Sequence, residues 1–170
     1  MENRKFTYVG LIDFVNKENS DVYNDYRGQL SYCDEMITVE YKNIVQRLTT
    51  EIDISACNNK EINYRLRAIW DTGSMISGIS EEYVEKMKLS PIDTGTVVTP
   101  TGQKECLYYL VDIRLPNDVI IKGIKIMSIP LKRHDCDFLI GMDIISKGNL
   151  SINNENGRTI IKFELTNNIT

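Results

Sequence analysis

A mainly β fold, closed into a barrel or packed as a sandwich with one or two short helices, is what this 170-residue sequence predicts. Three observations carry the prediction. Apolar residues recur two apart in many short segments, the pattern of strands buried on one face. Clusters of Asn, Asp, Gly and Pro punctuate those segments as turns do. Only two short stretches read as helices.

The elements follow in chain order. Phe6 to Val15 is expected to be a strand, followed by a polar, tyrosine-rich loop. Met36 to Leu48 is expected to be a strand or a helix. Thr50 to Ala56 alternates as a half-buried strand, Asn58-Asn59-Lys60 suits a hairpin turn, and Tyr64 to Trp70 is the expected partner strand. Ser80, Glu81 and Glu82 resemble a helix start, where a hydroxyl cap and negative charge satisfy free amides, and that helix ends before Pro91. Gly95 to Thr99 and Glu105 to Leu115 read as strands around the turn Pro100-Thr101-Gly102-Gln103. Val119 to Leu131 is a long β-rich run with Gly123 as an expected bulge. Phe138 to Ile140 is a short apolar strand meeting Gly141, and Asp143 to Lys147 a short helix stopped by Gly148. Leu150 to Ile152 and Thr159 to Leu165 close the chain as a hairpin through an Asn-rich turn ending in Gly157. Two zones result: an N-terminal extension over 1–47 whose role the sequence does not disclose, and a β domain over 48–170.

Composition narrows the chemistry. With one histidine, His134, the chain cannot build a two-histidine zinc site of the HExxH kind. A Ser-His or Cys-His nucleophile would have to use that same residue. Carboxylates are therefore the first place to look for hydrolytic chemistry. Twenty basic against 24 acidic residues, a net charge of -4, argue against an electrostatic nucleic-acid binder. The four cysteines, Cys33, Cys57, Cys106 and Cys136, form no CxxC pair and read as reduced, mostly buried thiols. His134-Asp135-Cys136-Asp137 lacks partner ligands elsewhere and reads as a polar turn before a buried strand, so no metal site is expected. The start is a poor signal peptide, and no apolar run approaches the ~20 residues that span a bilayer. A cytoplasmic setting without membrane contact is the expectation.

The chemistry concentrates at Asp71-Thr72-Gly73-Ser74, directly after the apolar strand that ends in Ile69 and Trp70. A carboxylate at a strand end is shielded from water by its neighbours. Gly73 allows a backbone amide to approach the inner carboxylate oxygen, and Ser74 is expected to offer its hydroxyl to the outer one. Thr72 is expected to bond across to a neighbouring loop. One carboxylate cannot both activate water and protonate a peptide carbonyl. Two that lie close enough to share a proton can.

This stretch resembles the retropepsin-like aspartic proteases, the bacterial single-domain members in particular. Two further segments carry the resemblance. Val97-Val98-Thr99-Pro100-Thr101-Gly102-Gln103 is similar to the family's flap hairpin. Phe138-Leu139-Ile140-Gly141-Met142-Asp143-Ile144-Ile145 is similar to its second landmark, where two apolar residues and a glycine cross behind the aspartate loop. Gly141 lies 70 residues after Asp71, and the similarity covers residues 48–165. It implies a closed acid-protease β fold with one lobe per chain. It implies Asp71 as the catalytic residue, supported by Thr72, Gly73 and Ser74, with Leu139, Ile140 and Gly141 behind the loop and Thr99 to Gln103 closing over a peptide or protein substrate. It implies neither cofactor nor metal.

A second triplet, Asp93-Thr94-Gly95, follows Ser90-Pro91-Ile92 rather than an apolar strand. It begins 22 residues after Asp71, too near for a second lobe with its own core, and reads as an exposed β-turn. The second carboxylate must then come from a second copy, which makes a twofold homodimer with Asp71 at the axis the simplest assembly. Asp143 reads as an acidic residue near a short helix N-terminus, and Trp70 as core. Tyr108 or Tyr109 is expected to face the cleft. The alternative function is a retropepsin-like module that dimerises and holds peptide without useful cleavage.

Overall fold

The computed structural model describes residues 29–31, 36–57, 59–99, 102–131 and 135–166. Eleven strands and two short helices run in the order β1 (Gln29–Ser31), β2 (Met36–Glu40), β3 (Thr49–Ala56), β4 (Asn59–Trp70), β5 (Gly78–Ser80), α1 (Glu81–Lys86), β6 (Asp93–Thr99), β7 (Gly102–Arg114), β8 (Ile120–Ile129), β9 (Phe138–Ile140), α2 (Met142–Ile145), β10 (Gly148–Glu155) and β11 (Arg158–Leu165). A 3-10 turn at Pro116–Asp118 joins β7 to β8.

The large sheet closes on itself. Its order is β1-β8-β5-β9-β4-β3-β7-β6, and β8 also pairs with β7. Six strands, β8, β5, β9, β4, β3 and β7, therefore form a ring. β1 extends from β8, and β6 extends from β7. Closure removes the exposed edges that an open sheet must otherwise protect. The ring is mainly antiparallel, with two parallel contacts: β4 with β9 and β5 with β8. A second sheet has the order β10-β11-β2.

Two-residue alternation builds the core. Ile52 and Ile54 of β3, Leu66 and Ala68 of β4, and Val111 and Ile113 of β7 are buried on the inward face with Phe138 and Ile140. The small sheet adds Ile37, Ile161 and Phe163 to the same core. Each such side chain is worth about 1.5–3 kcal/mol of hydrophobic stabilisation when fully buried.

Several sequence expectations change here. Phe6 to Val15 lies outside the described residues, as do Asn58, Cys33 and His134. Of the stretch from Met36 to Leu48, only Met36–Glu40 is a strand. It pairs antiparallel with β11, and Ile37 is fully buried, so this piece of the N-terminal extension is woven into the β structure. Ser80 occupies the cap position of α1, but its hydroxyl makes no capping bond; it is the last residue of β5 and is buried. The bulge is present at Gly123: the register of β7 and β8 shifts across it, and the Gly123 amide donates to Asp112 Oδ1 at 2.8 Å. Cys106 and Cys136 are buried free thiols, whereas Cys57 is exposed.

Candidate active site

Asp71 stands where β4 leaves the sheet. The parallel pairing of β4 with β9 matches Ile69 to Leu139 and Trp70 to Ile140. One more bond continues the ladder, the Asp71 amide donating to the Ile140 carbonyl at 2.9 Å. The chain then turns sharply, with the Ser74 amide bonded to the Asp71 carbonyl. The strand behind thus fixes the aspartate backbone.

The carboxyl group has two unlike oxygens. Oδ1 accepts the Gly73 N–H at 2.9 Å, the contact that a glycine two residues on was expected to allow. Oδ2 is buried and has no hydrogen-bond partner among the described residues. The expected bond from Ser74 to the carboxylate is not made. The Ser74 side chain is fully buried and turns inward, where its hydroxyl donates to the Ile76 carbonyl at 2.9 Å. Ser74 therefore shapes the turn rather than the charge. Thr72 and Gly73 are exposed beside Asp71.

Leu139, Ile140 and Gly141 come together behind this loop. Gly141 is required by close approach, because a Cβ there would lie 2.8 Å from the Ile76 carbonyl carbon. From the same crossing, Gly141 N–H donates to Ser77 Oγ at 2.9 Å and Met142 N–H to the Ser74 carbonyl at 2.8 Å. Asp143 lies in the first turn of α2, as its position suggested, but its side chain does more than face a helix end. It accepts the Ser77 amide at 3.0 Å and the Ser77 hydroxyl at 2.7 Å. Burial pushes its pKa above the ordinary carboxylate value, against the pull of those donors. Sequence reasoning passed over Ser77 altogether. Its only signal was its place six residues after Asp71, just before an apolar strand.

The flap-like segment is a hairpin of β6 and β7 in which Thr99 pairs with Gly102. Pro100 and Thr101 lie outside the described residues. Gly102 and Gln103 are exposed. Lys104, next along β7, forms an ion pair with Glu81 at the start of α1 at 3.5 Å. Below the tip, Cys106 and Tyr108 join Ile76, Leu139 and Ile129 in a second apolar cluster, with Ile69 packed against it. The hairpin base, the strand before Asp71 and the crossing strand thus share one apolar wall. Tyr108 and Tyr109, one of which is expected to face the cleft, are both buried.

Asp93-Thr94-Gly95 is not a turn. It opens β6, with Asp93 paired to Tyr108 in register. Asp93 Oδ2 is 2.7 Å from Lys125 Nζ, and Oδ1 accepts the Thr94 amide at 2.8 Å. Trp70 is core, as expected: its ring packs at a tilt against Phe163, 5.1 Å between centroids, and its indole N–H donates to Thr50 Oγ1. Among the described residues, no cluster of His, Cys, Asp and Glu is arranged to hold a metal ion, and no helix is long and apolar enough to cross a membrane. A surface groove of about 460 Å³, lined by Val39, Ile52, Asp53, Arg65, Arg114 and Leu115 among others, has no residue of the Asp71 loop in its lining.

No protein-family model matches the chain, and no curated protein matches it in sequence. Its similar solved structures include a retropepsin-like aspartic protease from Rickettsia conorii, with 15% identity and a TM-score of 0.49 over 82% of this chain and 98% of that one. They also include the EIAV protease, with 20% identity and a TM-score of 0.43 over 62% and 91% of the two chains. The retroviral protease-like domain of Ddi1 from Leishmania major is similar over 71% of this chain and 98% of that domain, with 13% identity and a TM-score of 0.39.

Proposed function

We propose that the chain is an aspartic endopeptidase that works as a homodimer, with Asp71 of each subunit at the twofold axis. The observation that carries this reading is the state of the Asp71 carboxyl group. One oxygen is pinned by Gly73, and the other is buried without a partner. A buried polar atom left unsatisfied costs about 1–3 kcal/mol. A second carboxyl group sharing a proton, with a water between the pair, satisfies it. Such a pair supplies a base and an acid from one residue type.

The chemistry then runs without a covalent intermediate. The ionised carboxylate takes a proton from the shared water as its oxygen attacks the scissile carbonyl carbon. The protonated partner donates to the carbonyl oxygen, which gives a gem-diol. Collapse breaks the C–N bond as a proton passes to the leaving amine. Gly73 holds the inner oxygen, and exposed Thr72 braces the partner loop. The β6–β7 hairpin closes over an extended peptide and excludes water.

Digestion of a diverse peptide mixture over a range of pH tests this. Asp71→Asn is expected to abolish cleavage, whereas Asp93→Asn retains most of it. Activity is expected to fall on dilution through the dimer dissociation range. Peptide binding without Asp71-dependent cleavage would instead identify a binding module.

A further inference from the structure

A second carboxyl group grips the aspartate loop from behind, and the proposed chemistry does not use it. Asp143 Oδ2 accepts the Ser77 N–H at 3.0 Å. Its Oδ1 accepts the Ser77 hydroxyl at 2.7 Å and the Ile144 N–H at 3.0 Å. Ser77 is fully buried, and its Oγ in turn accepts the Gly141 N–H. Two main-chain bonds cross the same gap, Met142 N–H to the Ser74 carbonyl and Asp143 N–H to the Met75 carbonyl at 3.1 Å. Apart from the local Ile144 bond, every one of these contacts joins the loop after Asp71 to the segment that begins at Gly141.

With the peptidase reading as premise, we infer that Asp143 is a positioning residue for Asp71, which holds the Asp71–Ser77 loop in register through Ser77 and Gly141. The donor pattern explains why a carboxylate stands here. Three donors converge on two oxygens, and a carboxylate accepts them all. Asparagine has the same size but cannot match them. With its amide nitrogen at the Oδ2 place, two donors face each other at Ser77 N–H. With it at the Oδ1 place, the Ser77 hydroxyl can rotate to accept, but the Ile144 N–H meets a donor and keeps only its second acceptor, the Gly141 carbonyl at 3.1 Å. Either way one main-chain donor loses its bond to residue 143, and the loop is held less firmly. Misplacing a reacting group by ~1 Å lowers turnover by about 100-fold.

The test compares the wild-type full chain with Asp143→Asn and Ser77→Ala in two measurements. The first is steady-state cleavage of one peptide taken from the digested mixture. In both variants kcat is expected to fall about 10- to 100-fold, with KM within about threefold of wild type. The second is amide hydrogen exchange by NMR, which needs no activity. Gly73 and Gly141 are expected to exchange about tenfold faster in both variants, with Ile152 and Ile161 in the β10–β11 hairpin unchanged. Unaltered kcat, or a rise in KM alone, would overturn the positioning role. So would protection lost uniformly across the molecule in both variants, which marks a purely structural residue. If the wild-type protein shows no Asp71-dependent cleavage, the peptidase reading fails, and exchange alone decides the role of Asp143. Faster exchange confined to the loop then upholds it, and unchanged or uniform exchange overturns it.

Discussion

Asp71-Thr72-Gly73 and Asp93-Thr94-Gly95 share three residues and differ in what surrounds them. Asp71 ends a strand, and a parallel neighbour carries the ladder onto its amide. Asp93 begins a strand in the hairpin that projects from the ring. One oxygen of Asp71 is buried and unpartnered, whereas both oxygens of exposed Asp93 have partners. Behind the first triplet the chain crosses closely enough to demand Gly141. Behind the second, Lys125 spans Asp93 and the face of Tyr108, 4.3 Å from the ring centroid. The string itself does not decide the chemistry. What decides it is whether the strand before the aspartate is apolar and buried, and whether another segment locks the turn that follows.

The largest test of the contrast is kinetic. Asp71→Asn is expected to lower peptide cleavage by about 10³-fold or more, and Asp93→Asn by less than about threefold, read from initial rates on one peptide. Equal losses would erase the distinction between the triplets. The next effect is steric. Gly141→Ala drives a Cβ against the Ile76 backbone, which cannot yield without moving the Asp71 loop. Destabilisation of about 1–3 kcal/mol is expected in urea unfolding, together with a marked loss of any cleavage.

Gly95→Ala is the matching change in the second triplet. Its Cβ would come within 2.5 Å of the Tyr108 ring, a side chain rather than backbone. A smaller penalty, about 1 kcal/mol, is expected, with cleavage largely retained.

The smallest effect is the pH response of two carboxylates. The Lys125 ammonium holds Asp93 below its ordinary value of 3.8. Its folded form thus binds fewer protons than the unfolded chain near that value. The stability it adds is present at neutral pH and is lost as pH falls through the depressed folded value. Burial moves Asp143 the other way. Its folded form binds more protons, so it lowers stability at neutral pH and restores it as pH falls from its raised value toward the ordinary one. Carboxyl-resolved NMR titration is expected to find Asp143 titrating above 3.8 and Asp93 below it. Lys125→Met is expected to return Asp93 toward 3.8, with a stability change under about 1 kcal/mol because the Asp93 carboxylate faces solvent, although the Lys125 side chain is largely covered.

Local pattern carried much of this molecule. Alternation at Ile52 and Ile54 marked a strand because side chains on a pleated strand face one way every second residue. Trp70 was legible as core by the same rule, and Gly123 as a bulge because an isolated glycine in a strand run weakens the ladder. The Asp71 loop was legible from its apolar approach, whereas the Leu139-Ile140-Gly141 crossing was expected from the resemblance to the retropepsin-like proteases. Four features were not. Ser74 turns inward to Ile76 because the turn geometry, not the residue type, sets its direction. Asp93 joins a strand because Tyr108 and Lys125 are there to receive it. Met36–Glu40 lies on β11, a partner more than 110 residues away. Asp143 finds Ser77 across 66 residues of chain.

The sequence alone determined which segments are strands, which aspartate follows a buried strand and which glycine lies beside it, since those depend on neighbours within a few positions. Tertiary structure alone decided that a second carboxyl group supports the Asp71 loop from behind, because Asp143 meets Ser77 across 66 residues of chain. That outcome depends on hydrogen-bond partners that only chain closure brings within about 3 Å, and no local spacing encodes such a meeting.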